Sequence, residues 1–115
     1  MKDCVFCKIA RHVTPSKIIH EDDDFIVFHD NVPSAPVHLI IIPRRHFLWR
    51  DDLKSAEPTL GRIFSLAPKV AEKAGVKRSG YKLIMNCGAG AGQIVDHFHV
   101  HLMGGWKKGE ENEKN

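Results

Sequence analysis

Cysteine is scarce in this chain: Cys4, Cys7 and Cys87 are the only three in 115 residues, an odd count that excludes a disulfide framework. Long apolar runs are missing too. No stretch approaches the ~20 residues of a membrane span, and the segment from Met1 to Cys4 has no apolar core followed by a cleavage site, so a cytoplasmic protein without a membrane partner is expected. Charge of one sign is also lacking. The net charge is +3 with histidine neutral and no basic block stands out, which argues against nucleic acid as a partner and leaves a phosphate-bearing small ligand compatible. The length allows one hydrophobic core and not two. One domain over residues 1–106 is expected, with a charged, disordered tail from Lys107 to Asn115 that lacks any large apolar residue.

What the chain does have is His97-Phe98-His99-Val100-His101-Leu102-Met103, in which three histidines alternate with apolar residues. A strand turns its side chains over with period two, so the three imidazoles would share one face at ~6.6 Å spacing, with Phe98, Val100 and Leu102 toward the core. Each ring carries a donor and an acceptor that must be satisfied if buried, which makes such a ribbon costly unless the rings work. A nucleophile held between hydrogen-bonding neighbours and a metal cage are the two kinds of work that suit it. The ordinary alternative is a half-exposed strand face filled by histidines.

Ile18 to His20, Phe25 to Phe28 and His38 to Ile42 read as successive antiparallel strands separated by turn-prone pieces. From Glu57 to Gly75, Leu60, Ile63, Phe64, Ala67, Val70, Ala71 and Ala74 recur at helical spacing, with Ser55 as the expected N-cap and Gly75 as the stop. Pro68 should kink or break that helix. Tyr81 to Met85 returns to strand character, and strands, helix, strands in that order predict an α+β fold with an antiparallel sheet. The glycines of Cys87-Gly88-Ala89-Gly90-Ala91-Gly92 do not form a dinucleotide fingerprint, because the loop leads to a strand and not a helix. They would still let backbone N–H groups approach an anion. Cys4-x-x-Cys7 fits a metal site or a redox pair.

The histidine ribbon, together with Lys8-Ile9, Phe28-His29-Asp30, Ala35-Pro36-Val37-His38, Ile42-Pro43-Arg44-Arg45-His46, Asn86 and Gly92-Gln93, closely resembles the histidine triad (HIT) superfamily, in particular its small nucleotide-binding phosphoramidases. The resemblance implies a five-stranded antiparallel sheet with one main helix and a short N-terminal helix, dimerising into a continuous sheet. It also implies hydrolysis of nucleoside 5′-phosphoramidates, of AMP-amine or AMP-lysine type, through a covalent nucleotidyl-histidine. His99 takes the nucleophile's position, His101 that of a phosphate contact and His38 that of the supporting fourth histidine, with His97 the first of the triad. By the same resemblance Asp30 meets the ribose hydroxyls of a purine nucleotide such as AMP or GMP. Phe6, Ile9, Phe28 and His29 fall where relatives line the base pocket, and Asn86, Gly92 and Gln93 lie near the phosphate. Cys4, Cys7, His46 and His97 match the ligands of a structural zinc in many bacterial members and in the related galactose-1-phosphate uridylyltransferases. Ile94 departs from the pattern: many relatives have serine or another polar group there, serving the phosphate or the leaving group. Three other functions compete: a dinucleoside polyphosphate hydrolase, a nucleotide-binding regulatory module with incidental turnover, and a metal carrier using the ribbon itself.

Overall fold

A computed structural model describes residues 4–107. Eight elements follow in order: α1 (Val5–Ala10), β1 (Ile18–Glu21), β2 (Phe25–His29), β3 (Val37–Pro43), α2 (Leu53–Lys73), β4 (Tyr81–Ile84), a 3-10 turn (Ala89–Ala91) and β5 (Val100–Gly104). The tail expected from Lys107 onward lies, beyond Lys107 itself, outside the described residues.

The strands form one five-stranded sheet in the order β1-β2-β3-β5-β4, every neighbouring pair antiparallel. Alternation then sorts side chains between two faces. Phe25, Val27, Leu39, Ile41, Val100 and Leu102 meet α2 in one buried cluster, and Ile26, Phe28, Ile40 and Ile42 meet α1 residues Phe6, Ile9 and Ala10 in a second. Burial of each of these Val, Leu, Ile and Phe side chains contributes about 1.5–3 kcal/mol.

α2 begins earlier than its apolar period suggests. Asp52, not Ser55, is the N-cap: its carboxylate accepts the Ser55 N–H at 3.2 Å and the Ser55 hydroxyl at 2.9 Å, while Arg45 donates to the same carboxylate at 2.7 Å. Ser55 thus sits in the first turn. The helix also runs unbroken past Pro58 and Pro68, because the packing of Ile63, Ala67, Val70 and Ala71 against the sheet outweighs the lost backbone bonds. At its far end the Val76 N–H reaches the Ala71 carbonyl at 2.9 Å and the Gly75 N–H that of Glu72 at 3.1 Å, with Gly75 at φ +80°. That double closure needs a left-handed residue, so Gly75 is the stop the sequence indicates. Leu60 and Phe64, which share the apolar period, are 43% and 73% exposed.

The last residue of β5 shows why the sheet closes tightly at this end. Gly104 on β5 pairs with both Val37 and Tyr81, and a Cβ there would lie 2.8 Å from the Gly80 carbonyl.

Candidate active site and metal centre

The histidine segment is not one strand. β5 starts at Val100, so His97 and His99 precede it and only His101 lies within it. The ladder stops because the backbone there has other partners: the Phe98 N–H donates to the Phe47 carbonyl at 2.7 Å, the His97 N–H to Val95 at 2.9 Å, and the His97 carbonyl accepts a ring proton from His99. Phe98, Val100 and Leu102 face the core as their alternation predicts.

A cleft of about 490 Å³ opens on the face of the sheet opposite α2. Its floor is cross-strand neighbours, Ile40 beside His101 beside Ile84 and His38 beside Met103. Asp30, Val32 and Ser34 form one wall, Asn86, Gly92, Ile94 and Val95 the other, with Phe6 and His99 between them. Of the residues matched to a base pocket, Phe6 lines this cleft, whereas Ile9 and Phe28 pack beside it in the α1 cluster and His29 is exposed at the end of β2. The Gln93 amide is engaged within its own loop, accepting the Gly88 N–H at 2.7 Å and donating to the Val95 carbonyl at 3.1 Å. The N–H groups of Ala91, Gly92 and Gln93 likewise close onto Ala89 and Gly88. The loop is therefore a scaffold for its neighbours, and these N–H groups are not the anion cradle that its glycines suggest.

The proton positions follow from one unambiguous donor. The backbone N–H of Ser34 donates to His38 Nδ1 at 2.9 Å, and burial holds His38 below the ordinary imidazole range, against the nearby Asp30 carboxylate. A neutral His38 then carries its hydrogen on Nε2, 2.8 Å from His101 Nδ1 and 3.4 Å from an Asp30 oxygen. His101 therefore accepts at Nδ1 and keeps its own proton on Nε2. Burial first, and then the neighbouring His99 and His38, bring its pKa down to about 4.

His99 has the opposite tautomer. Its Nδ1–H donates to the His97 carbonyl at 2.7 Å, which leaves the lone pair on Nε2. Burial lowers its pKa as well, so the ring is neutral near pH 7. The edge-on ring of Phe6, 5.1 Å away between centroids, and the ring of His101 at 5.0 Å fix its plane. Sequence reading does not reach the Ser34 N–H or the His97 carbonyl, because backbone groups leave no mark in residue identity.

Beside the cleft, Cys4, Cys7, His46 and His97 bring two sulfurs and two ring nitrogens within 4.8 Å of one another. His97 is fully buried and donates from Nε2 to the Pro43 carbonyl at 2.8 Å, so its Nδ1 lone pair faces Cys4 Sγ at 3.4 Å and Cys7 Sγ at 3.6 Å. His46 Nδ1 stands 3.3 Å from Cys7 Sγ. Burial holds both imidazoles below their usual range, His97 at about 4, which is the neutral form a metal requires. Burial, then Cys4, push the Cys7 thiol up. Two sulfurs, two nitrogens and an oriented outer hydrogen bond fit a closed tetrahedral zinc site. Arg44 braces it, bonding the Ala10 carbonyl at 2.8 Å, the Asp22 carbonyl at 2.7 Å and Glu21 at 3.1 Å, which ties the end of α1 to the β1–β2 turn.

A second group, Asp30, His38 and His101, is equally close in space. It does not fit a metal. Its central atom, His38 Nε2, bears the hydrogen that the Ser34 bond places there, and so offers no lone pair.

A HIT domain family model matches residues 11–108. The chain belongs to the HIT family. It is 41% identical over 105 residues to the purine nucleoside phosphoramidase of Escherichia coli K12, covering 90% of this chain and 88% of that protein. It is 40% identical over 108 residues to protein HitA of Neisseria gonorrhoeae, covering 90% and 97%. Among solved structures, a HIT family hydrolase from Clostridium thermocellum superposes with a TM-score of 0.88 at 44% identity, over 95% of this chain and 96% of that one. A histidine triad protein from Clostridium difficile gives 0.87 at 35% identity, over 93% and 94%. The five-stranded sheet, main helix and short N-terminal helix of this HIT protein are those the sequence resemblance implies. Among the described residues no helix is long and apolar enough to cross a membrane.

Proposed function

We propose that this HIT protein hydrolyses nucleoside 5′-phosphoramidates by way of a nucleotidyl intermediate on His99. The observation that carries the reading is the pair of opposed tautomers: a lone pair on His99 Nε2 beside an N–H on His101 Nε2, both in the cleft. A nucleophile and an electrophilic partner are thereby separated on adjacent rings without a charged imidazole. The 41% identity to a protein named purine nucleoside phosphoramidase supports the substrate class.

In the first step the His99 Nε2 pair attacks phosphorus and the P–N bond breaks. Nitrogen keeps the bonding pair, takes a proton from solvent at the open mouth and leaves as the amine. Water then attacks phosphorus, the Nε2–P bond breaks with its pair returning to the ring, and the water's proton passes to solvent. The net products are the nucleoside monophosphate and the amine. His101 Nε2–H donates to a phosphoryl oxygen throughout, and Asp30 accepts from the ribose hydroxyls. Asn86 faces the phosphate; Phe6, with Ile9, Phe28 and His29 behind and beside it, bounds the base. Gly92 and Gln93 hold the wall, and His38 fixes the tautomer of His101.

Zinc on Cys4, Cys7, His46 and His97 would be structural, holding α1 and the backbone that orients His99. A homodimer is part of the same proposal. Leu53, Leu60 and Phe64 are exposed on α2 beside a groove lined by Trp49, Met85 and Phe98, and β4 is an open sheet edge.

The test compares an adenosine 5′-phosphoramidate with a diadenosine polyphosphate on wild-type protein and His99→Ala. Faster cleavage of the phosphoramidate, reduced about 10⁴-fold or more in the variant, is expected. Turnover indifferent to His99→Ala would overturn the mechanism; preference for the polyphosphate would keep it and change the substrate. Nucleotide binding without any turnover would make the protein a binding module.

A further inference from the structure

Ile94 and Val32 are the two most exposed large apolar side chains among the described residues, at 91% and 80%, and both line the catalytic cleft. Single apolar residues scattered on a surface are ordinary. These two stand on opposite walls of one mouth. Ile94 is also held there by its neighbours: the Gln93 amide is bonded at both ends, and Val95 packs against the α1 cluster. The backbone therefore presents Ile94 outward between two anchored residues, where it adds nothing to either core cluster.

The direction of the chemistry gives this placement a meaning. His99 attacks from inside the cleft, and attacking and leaving atoms lie roughly in line at phosphorus, so the leaving group departs toward the mouth. Asp30, on the wall that carries Val32, fixes the nucleoside end, so the leaving group runs out past Ile94. No side-chain donor is offered at residue 94 itself. We infer that the cleft selects phosphoramidates whose amine carries an apolar group of aromatic size, packed against Ile94 on the wall away from the nucleoside, over those with a polar or cationic amine. The inference rests on the phosphoramidase reading above and names the leaving group for it.

The test uses two adenosine 5′-phosphoramidates of amines with closely similar basicity, 2-phenylethylamine and ethanolamine, with wild-type protein, Ile94→Ser and Val32→Ser. An apolar contact at an open rim belongs at the low end of pocket discrimination, so kcat/KM for the phenylethyl compound should exceed the hydroxyethyl one about tenfold in wild type. The ratio should fall below about threefold in Ile94→Ser and stay near tenfold in Val32→Ser, whose side chain stands on the nucleoside's wall. A wild-type ratio near one, or a ratio unmoved by Ile94→Ser, overturns the inference. A change of oligomeric state in Ile94→Ser with the ratio intact also overturns it, assigning the residue to a second copy. Binding of both compounds to His99→Ala, read by calorimetry, separates this failure from that of the proposed function. Tighter phenylethyl binding that disappears in His99→Ala with Ile94→Ser keeps the apolar rim even if wild-type protein cleaves neither compound. Equal binding of the two removes it.

Discussion

The His97 carbonyl accepts the Nδ1–H of His99 at 2.7 Å, while the ring of the same His97 turns its Nδ1 toward the two cysteine sulfurs. One residue thus belongs to both centres: its side chain to the metal set, its backbone to the proposed nucleophile. Phe6 strengthens the link, since its ring stands against both imidazoles at 5.9 and 5.1 Å and its helix carries Cys7.

Metal occupancy should therefore register in stability as well as in activity. One zinc per chain is expected in protein prepared without chelator, and none in Cys7→Ser. Free zinc at roughly a hundredfold over its Kd supplies about 3 kcal/mol to the folded state, which at this chain length is about 10 °C in Tm. Calorimetry with and without a chelator, beside metal analysis, reads both. A Tm indifferent to zinc would sink the structural role.

The opposed tautomers are directly observable. Long-range nitrogen–proton correlation spectra should show His99 protonated at Nδ1 and His101 at Nε2 near pH 7, with His38 also protonated at Nε2. His38→Asn should remove the order at His101 while leaving His99 as it is, because the two rings are oriented by different groups. Matching tautomers on His99 and His101 would dissolve the division of roles.

His101 also sets a pH dependence of stability. Its folded pKa is lowered from 6.5 to about 4 by burial and by its imidazole neighbours, so below pH 6.5 the unfolded chain takes up a proton that the folded chain resists. The stability present above pH 6.5 is lost as pH falls toward 4. The loss is on the order of 2 kcal/mol once partial exposure is discounted. Urea midpoints at pH 7 and pH 4.5 should converge for His101→Asn relative to wild type. An equal drop in both proteins would place the linkage elsewhere.

The strands were legible because apolar runs broken by Asp22-Asp23-Asp24 and by Pro33 to Pro36 coincide with β1, β2 and β3 to within a residue or two. The extent of α2 was less so: Asp52 caps it through a hydrogen bond and an Arg45 ion pair that no periodicity reports. Of the alternating histidines, His99 and His101 line the cleft, but the alternation overstated the strand, since period two is a property of extended backbone and a ladder also needs a partner. β3 offers that partner only as far as the pairing of Ile41 with Val100. The metal set came from family likeness, and its four atoms do converge. Val32 carried no signal at all, because its place on the cleft depends on where the turn after β2 folds.

Ile63 and Phe64, adjacent on α2, separate the fold from the proposed dimer. Ile63 is fully buried against the sheet, and Phe64 is 73% exposed. Ile63→Ala empties a packed site and should cost about 2–5 kcal/mol at every protein concentration. Phe64→Ala should cost the single chain under about 1 kcal/mol, since the ring contacts solvent over most of its surface. If a second copy covers it, wild-type urea midpoints rise with protein concentration, because the dimer binds folded chains only. Phe64→Ala then removes that rise. Midpoints independent of concentration in wild type, with sedimentation at the mass of one chain, would leave the α2 face uncovered and exclude the dimer.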